Sequence, residues 1–426
     1  MAKFIVMGAG IGGISQAYEL RKAFGKQHEI VLIGDSTQFE FTPSNPWVAV
    51  GWRKPKQITV DLPELMKKHG IEFHSQGVKR LHPAENRLEL NDESTIDYDY
   101  LVIATGPKLA FDEVKGLGPD GGYTQSICKT GHAATAYADF EELAANPGPV
   151  VIGAAPAASC FGPAYEYAFI LDTELRKRKI RDRVPMHFVT PEPYVGHLGL
   201  DGVGDTKGLM ESQLRERHIQ WTCNARITSV AEGKLEFTEV DAEGKDVQQH
   251  ELPFQHSMVL PAFKGVDAVM DIEGLTNPRG FILIDEFQRN PTFNNIYAVG
   301  VCVAIPPVNV TPVPTGAPKT GYMIESMVTA TTHNIVNAVS GKAPEERGSW
   351  NAVCLADFGD TGVAFVAVPQ IPPRNTNWAS HGRWVHLAKI AFEKYFMHKV
   401  RAAKTEPYYE KLVMKMIGAE RLKESV

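Results

Sequence analysis

Three glycines spaced Gly8-x-Gly10-x-x-Gly13 follow directly on the apolar run over residues 4–7 and open an apolar-periodic stretch over 14–24. That order can cradle a pyrophosphate: Gly8 permits a tight turn, Gly10 lets phosphate approach the backbone, and Gly13 lets helix and strand pack closely. The start of the helix then offers unpaired N–H groups and positive potential to the anion. Asp35 follows Gly13 at roughly the twenty-residue interval expected of a ribose-binding acid. Gly34 occupies the strand end itself, so Asp35 is either a displaced substitute or a plain surface turn. A tight turn without a ligand would also use the glycines, but it would not require strand, spacing and helix to agree.

Sulfur offers a second chemistry. The five cysteines, Cys128, Cys160, Cys223, Cys302 and Cys354, are sparse and odd in number. They have no CxxC or Cys/His spacing that suggests zinc, so no metal is expected. Any cysteine function must come from residues brought together by the fold. Cys160 lies between a second turn, Gly153-Ala154-Ala155-Pro156-Ala157-Ala158, and a helix expected to start near Pro163. The potential at that helix end favours thiolate, the reactive form. A lone cysteine is otherwise more often inert core. The turn itself is damaged as a nucleotide site, because Ala155 puts a methyl where pyrophosphate should touch and Pro156 removes an N–H. No acid stands at the end of the next strand, where Thr190 and Pro191 lie, so NAD is not expected there.

Two strand–turn–helix openings, near residues 4 and 150, must hold these groups, and a third apolar strand, residues 295–300, returns late in the chain. The pattern predicts an α/β protein of two nested Rossmann-like dinucleotide-binding domains. The expected partition is 1–112 and 285–340 for the first, interrupted by 113–284 for the second, with a C-terminal region over 341–426. The 426 residues suffice for about two or three domains with well-buried cores. With 43% hydrophobic and 22% charged residues, bulk disorder is not expected. A net charge of -6 supplies no basic field, which argues against a nucleic-acid partner. The first strand begins almost at once, so no secretory leader is expected, and no apolar run reaches about 18 residues, so no spanning helix is either.

The glycine turn, the strand ending Ala104-Thr105-Gly106 and the late strand ending Ala298-Val299-Gly300 resemble the FAD-containing two-dinucleotide-fold family. Val301 stands where many members carry an acid that contacts the ribityl chain. More specific strings resemble bacterial sulfide:quinone oxidoreductases: Asn45-Pro46-Trp47, Tyr123-Thr124-Gln125-Ser126-Ile127-Cys128, Ala158-Ser159-Cys160-Phe161-Gly162-Pro163-Ala164-Tyr165-Glu166, Thr315-Gly316-Ala317-Pro318-Lys319-Thr320-Gly321-Tyr322 and Trp350-Asn351-Ala352-Val353-Cys354. The resemblance spans essentially the whole chain. It implies that Cys160 and Cys354 hold a disulfide or longer sulfur bridge beside the flavin, with Cys354 the thiolate that attacks the flavin C4a. Cys128 would assist sulfide handling or tether FAD. Glu166, His132 and His197 match positions that move protons, a task suited to groups titrating near neutral pH. Lys319 matches a cation near the flavin pyrimidine. Cys223 and Cys302 match no catalytic motif and read as core.

The tail has its own character. Trp384, Leu387, Ala388, Ala391, Phe392, Tyr395 and Phe396 recur at helical spacing, with Lys389, Glu393 and Lys394 mainly elsewhere on the wheel. A second stripe runs Tyr408, Tyr409, Leu412, Val413, Met416 and Ile417. Basic residues outnumber acids between 383 and 423, as a helix lying on an anionic bilayer requires; packing on the core or on another subunit would give the same periodicity. By resemblance these helices form a monotopic anchor, and a quinone lies between Phe392 and Tyr409, with Phe41, Pro43, Tyr322 and Lys415 lining it. Leu355 replaces an aromatic found in some relatives.

The resemblance thus implies an FAD enzyme that oxidises hydrogen sulfide to zero-valent sulfur or polysulfide and reduces ubiquinone or another membrane quinone. It would be peripheral on the membrane surface, on the cytoplasmic side of the inner membrane, and a homo-oligomer is left open. The rivals are a flavocytochrome c-type sulfide dehydrogenase flavoprotein, a type II NADH:quinone oxidoreductase, and a membrane sulfur-carrier or redox-sensing flavoprotein without turnover.

Overall fold

The computed structural model describes residues 1–405, 415 and 421–423. The chain opens with β1 (Lys3–Met7), α1 (Ile11–Phe24) and β2 (Glu29–Ile33), and continues to β3 (Glu72–His74) and β4 (Tyr100–Ile103). Phe4, Ile5, Val6 and Met7 are all buried, as a parallel strand covered on both faces requires. An antiparallel meander over residues 78–97 precedes β4.

Helix α2 (Thr130–Ala145) leads into a second parallel sheet of β5 (Val150–Ala154), β6 (Met186–Val189), β7 (Ile219–Thr222) and β8 (His256–Leu260). Its order is β7-β6-β5-β8, with α3 (Gly162–Lys177) crossing over from β5 to β6. Helix α3 ends in Arg176 and Lys177, a basic last turn that complements the helix dipole. Three antiparallel strands over residues 225–253 form a side sheet with its own apolar cluster around Leu235 and Phe237.

Strand β9 (Ile296–Ala298) then returns to pair with β4, completing a first sheet ordered β9-β4-β1-β2-β3. The second unit is therefore an insertion between two parts of the first, an α/β arrangement of two nested parallel sheets. Helix α4 (Gly321–Val339) packs against α1.

The C-terminal part is an antiparallel sheet, β10 (Ala352–Asp357), β11 (Gly362–Val368) and β12 (Thr376–His381), followed by α5 (Arg383–Ala402). Helix α5 packs on β10 and β11, and β10 packs on α3. Its orientation differs from that of an ordinary surface helix: Lys389, Glu393 and Lys399 are buried, while Trp384 and Leu387 are 47% and 66% exposed. The inward charges are paired. Lys389 Nζ lies 2.7 Å from Glu166, Arg53 Nε lies 3.0 Å from Glu393, and Lys399 meets Glu325. The apolar stripe read from the sequence thus divides: Phe396 is buried, Ala388, Phe392 and Tyr395 are half-buried, and Trp384, Leu387 and Ala391 face out, while Val385 and Met397, outside that stripe, are buried. Among the described residues no helix is long and apolar enough to cross a membrane. Tyr409 and the second expected stripe lie outside the described residues, apart from Lys415 between them, which is exposed.

Candidate active site

The glycine turn has the geometry a dinucleotide needs. Gly8 has φ +115°, and a Cβ there would lie 2.3 Å from the Ala104 carbonyl oxygen. At Gly13 a Cβ would lie 1.7 Å from the Gly8 oxygen, so helix and strand touch only because both residues are glycine. At Gly10 a Cβ would meet nothing within 4 Å, which leaves an open cradle at the start of α1. No side chain caps that helix, so its first N–H groups remain for an anion. Gly106, with φ +66°, and Gly300, with φ +85°, end the neighbouring strands β4 and β9 at the same edge of the sheet. Asp35 is exposed just beyond β2. A Cβ at Gly34 would lie 2.9 Å from the Ala9 Cβ, so the end of β2 has no room for a side chain and the acid stands one residue later. These residues fit FAD.

The sulfur residues converge. Cys160 precedes α3, Cys354 lies in β10 opposite Phe365, and Cys128 precedes α2. Burial pushes the Cys160 thiol up to about 12, and after burial the groups that raise it most are Cys354, Cys128 and Glu166. Burial likewise raises Cys354 to about 11, helped by Glu166, and Cys128 to about 11. Residues far apart in sequence thus share one site. At Cys160 the Gly162 N–H favours the thiolate, as expected at a helix end, while desolvation acts against it more strongly. Lys319 is also close, since Cys302 and Cys160 act on its ammonium, yet burial lowers it to about 8. Its Nζ stands 4.7 Å over the Phe281 ring. Beside it a cavity of about 460 Å³ is lined by Ser159, Phe263, Phe281, Pro306 and Lys319 among others.

Glu166 is held beneath the cysteines. Its Oε1 accepts from Lys389 Nζ at 2.7 Å and from the Asp357 backbone N–H at 2.7 Å. Burial raises Glu166 despite Lys389; burial also disfavours the charge on Lys389, but Glu166 more than offsets this and keeps the ammonium protonated. Lys389 Nζ also donates to the Leu355 carbonyl at 3.3 Å, which ties α5 to the strand bearing Cys354. Asp357, fully buried, accepts from the Trp47 indole N–H at 2.7 Å and from the Gly359 N–H at 3.0 Å, and lies 2.8 Å from His386 Nδ1. Asp357 and His386 were not singled out by the sequence. The one available signal was polar residues placed near an aromatic helical stripe.

The two expected histidines lie elsewhere around the site. His132 is in the first turn of α2, 3.6 Å from Asp120, and burial lowers it. His197 is fully buried, its Nε2 is 3.9 Å from Asp201, and burial lowers it too. Neither is among the groups acting on Cys160 or Cys354. Phe41 and Phe392, expected to line a quinone, do meet, with ring centroids 5.7 Å apart. Tyr322 is buried at the start of α4, and Pro43 is half-buried. Cys302 is core, its Sγ 3.3 Å from the carbonyl oxygens of Ile103 and Val299.

At the second turn the backbone is already occupied. The Ala157 N–H donates to the Pro314 carbonyl at 2.6 Å, and the Gly316 N–H donates to the Ala158 carbonyl at 2.9 Å, so the proline-rich loop closes over it. An acid does follow β6 closely, but Glu192 is turned inward. It accepts from Tyr165 Oη at 2.8 Å, Thr190 Oγ1 at 2.7 Å and the Leu198 N–H at 2.6 Å.

A family model described as pyridine nucleotide-disulphide oxidoreductase matches residues 2–331. The sulfide-quinone reductase of Aquifex aeolicus (strain VF5) is 42% identical over 419 residues, covering 98% of this chain and 95% of that protein. A solved structure of the sulfide:quinone oxidoreductase from Aquifex aeolicus superposes with a TM-score of 0.94 at 41% identity, covering 99% of this chain and 97% of that one. The mitochondrial sulfide:quinone oxidoreductase of Dictyostelium discoideum is 24% identical over 79% of this chain and 71% of its own length.

Proposed function

The chain belongs to the pyridine nucleotide-disulphide oxidoreductase family, and from that premise we infer that it is an FAD-dependent sulfide:quinone oxidoreductase. The observation that carries the reading is the convergence of Cys160, Cys354, Cys128 and Glu166 in one buried site, where Cys160 in turn acts on Lys319. Such a site is of little use to an NADH:quinone oxidoreductase, and in the second turn the N–H groups of Ala155, Ala157 and Ala158 are already bonded to protein carbonyls rather than left for a nicotinamide cofactor's phosphates. That occupied turn argues against the NADH:quinone alternative.

FAD, held on Gly8, Gly10, Gly13 and Gly106, supplies a two-electron acceptor when bound. Both Cys160 and Cys354 are free thiols in the structure; in the oxidised enzyme they hold a bridging sulfur bond. Hydrosulfide attacks one sulfur of the bridge, breaking that bond and leaving a persulfide on one cysteine and a thiolate on the other. Burial raises both thiols, so this thiolate is disfavoured until its electron pair passes to the acceptor. Glu166, with its raised pKa, takes the proton that hydrosulfide loses on becoming zero-valent sulfur and releases it towards the acceptor that takes the electron pair. Lys319 steadies negative charge on the acceptor side. Cys128, His132 and His197 take supporting parts in sulfide handling and proton exchange.

The quinone lies along α5, against Phe392, Phe41, Pro43 and Tyr322, with Lys415 a further contact; Tyr409, the other expected wall, lies outside the described residues. The exposed Trp384 and Leu387, beside the exposed Arg383, Lys394 and Arg401, support docking of α5 on an anionic membrane surface. Anaerobic titration of purified protein with sulfide should bleach the flavin, a short-chain quinone should restore its colour, and NADH should do neither. Bleaching by NADH but not by sulfide would overturn the reading.

A further inference from the structure

Helix α5 has two flanks, and the quinone walls take up only one of them. Phe392 stands on one side of its buried face; by the 3.6-residue period, Arg383, His386, Ile390, Lys394 and Arg401 stand on the other. Along that second flank a cavity of about 220 Å³ is lined by Trp47, Trp52, Arg53, Lys177, His386 and Ile390 among others. Neither the sulfide nor the quinone chemistry uses it.

Its walls are fixed. The Trp47 indole N–H donates to Asp357 at 2.7 Å, and the Trp52 indole N–H donates to Glu174 at 2.7 Å. A Cβ at Gly359 would lie 2.6 Å from the Trp52 ring, so the ring packs there only because that residue is glycine. Each indole carries a cation: Lys177 Nζ stands 3.8 Å from the Trp52 centroid, and Arg53 Cζ stands 4.6 Å from that of Trp47. Glu393 meets Arg53 Nε at 3.0 Å and the Trp52 carbonyl accepts from Nη1, which leaves Nη2 for a further acceptor. Lys177 has no carboxylate partner among the described residues. The nearby acids are engaged elsewhere, Glu174 by Trp52 and Arg178, and Asp357 by Trp47, Gly359 and His386. An aromatic face positions an ammonium without neutralising it, so the cavity keeps a positive charge and free N–H donors.

We propose that this cavity binds the phosphate of an anionic glycerophospholipid, with Lys177 and Arg53 as donors and the acyl chains laid along Leu387 and Ala391. The inference rests on the reading of α5 as a helix that docks on a membrane. Phosphate is the anion that lysine and arginine N–H groups recognise through charge-assisted hydrogen bonds. The volume falls below the roughly 300–1,000 Å³ of a site for a drug-sized molecule, so it takes a headgroup and leaves the rest of the ligand outside. Outside, Leu387 and Ala391 are exposed beside Ile390, and the exposed cations Arg383, Lys394 and Lys179 border them. A phosphate-sized hole next to an apolar strip with a basic margin suits a lipid, whose two ends need those two environments, better than a soluble anion. The bound lipid pins one flank of α5 to the bilayer, while Phe392 on the other flank stays open to quinone.

The test is co-sedimentation of the holoenzyme with vesicles of phosphatidylcholine, alone or mixed with phosphatidylglycerol. Wild type should prefer the mixed vesicles. Lys179→Met removes a charge of the same sign just outside the cavity and should weaken that binding about fivefold at most, as for any lysine near an anionic surface. Lys177→Met should weaken it by a further factor of about ten or more, the loss of one hydrogen bond to a charged group, and Lys177→Arg should keep most of it. Ile390→Phe, which fills the cavity without changing charge, should also remove the preference. In calorimetry, short-chain phosphatidylglycerol should bind wild type at concentrations where inorganic phosphate does not. Equal losses in Lys177→Met and Lys179→Met, a wild-type preference in Ile390→Phe, or Lys177-dependent binding of inorganic phosphate as tight as that of the lipid would each overturn the proposal. If wild type sediments with neither vesicle, the membrane reading of α5 fails and takes this one with it; if binding depends on Trp384 and Leu387 but not on Lys177, this one alone fails.

Discussion

Replacing Lys389 by methionine keeps much of the side chain's length and removes its charge from beside Glu166. In the native protein the two charges are 2.7 Å apart and almost wholly buried. At an effective dielectric of about 20, they attract by about 6 kcal/mol, much of which is offset by their desolvation. After the substitution Glu166 keeps only the Asp357 amide as donor, and breaking such a buried pair costs about 3–5 kcal/mol. Glu166→Gln, which strands the ammonium, should cost a similar amount. The double variant, with no charge left to strand, should cost much less than the sum, by about 2–3 kcal/mol or more. Urea unfolding of the holoenzyme, followed by flavin fluorescence and circular dichroism, gives all four stabilities. Costs that add to within about 0.5 kcal/mol would refute the claim that these residues form one buried unit.

Gly8→Ala should yield protein without flavin, read from the ratio of visible to ultraviolet absorbance, because φ +115° and the Ala104 oxygen at 2.3 Å leave no place for a methyl. Glu192 has its pKa raised to about 7 by burial. Its contribution is therefore fully present below its ordinary value near 4.5 and is lost as pH rises through about 7. Relative to Glu192→Gln, wild type should lose about 3 kcal/mol between pH 4.5 and 8, seen in denaturant midpoints. Paired Trp384→Glu and Leu387→Glu should lower binding to anionic vesicles at least about tenfold in co-sedimentation, given about 1.5–3 kcal/mol per buried large apolar side chain, and leave sulfide-driven bleaching of the flavin unchanged.

What could be read from the sequence was what is local or periodic. The glycine turn depends on a few adjacent residues, and both its position and the open face at Gly10 agree with the pattern. The return of β9 to β4 was suggested by its apolar run, since a buried parallel strand has that composition. The pairing of Cys160 with Cys354 came only from family resemblance, because no spacing rule links a turn before α3 to a strand so much later. Periodicity found the stripe on α5 but not its outward side: helical spacing marks a face without saying whether protein or another phase covers it, and here buried ion pairs hold the charged face inward. Helix position alone suggested an ionised Cys160, whereas burial dominates. Asp357 and His386 were not singled out, because the partners of Asp357, Trp47 and Glu166, come from distant elements and polar residues near an aromatic stripe point to no particular site.

Every step proposed for sulfide depends on the sulfur chemistry shared by Cys160 and Cys354. Peptide mass mapping of oxidised protein, digested under acid without reductant, tests this directly. The peptides bearing these two cysteines should be joined, by a disulfide or by a bridge heavier by whole sulfur atoms, and should separate on reduction. Both cysteines alkylated freely, with no joined peptide before or after exposure to sulfide and quinone, would contradict it.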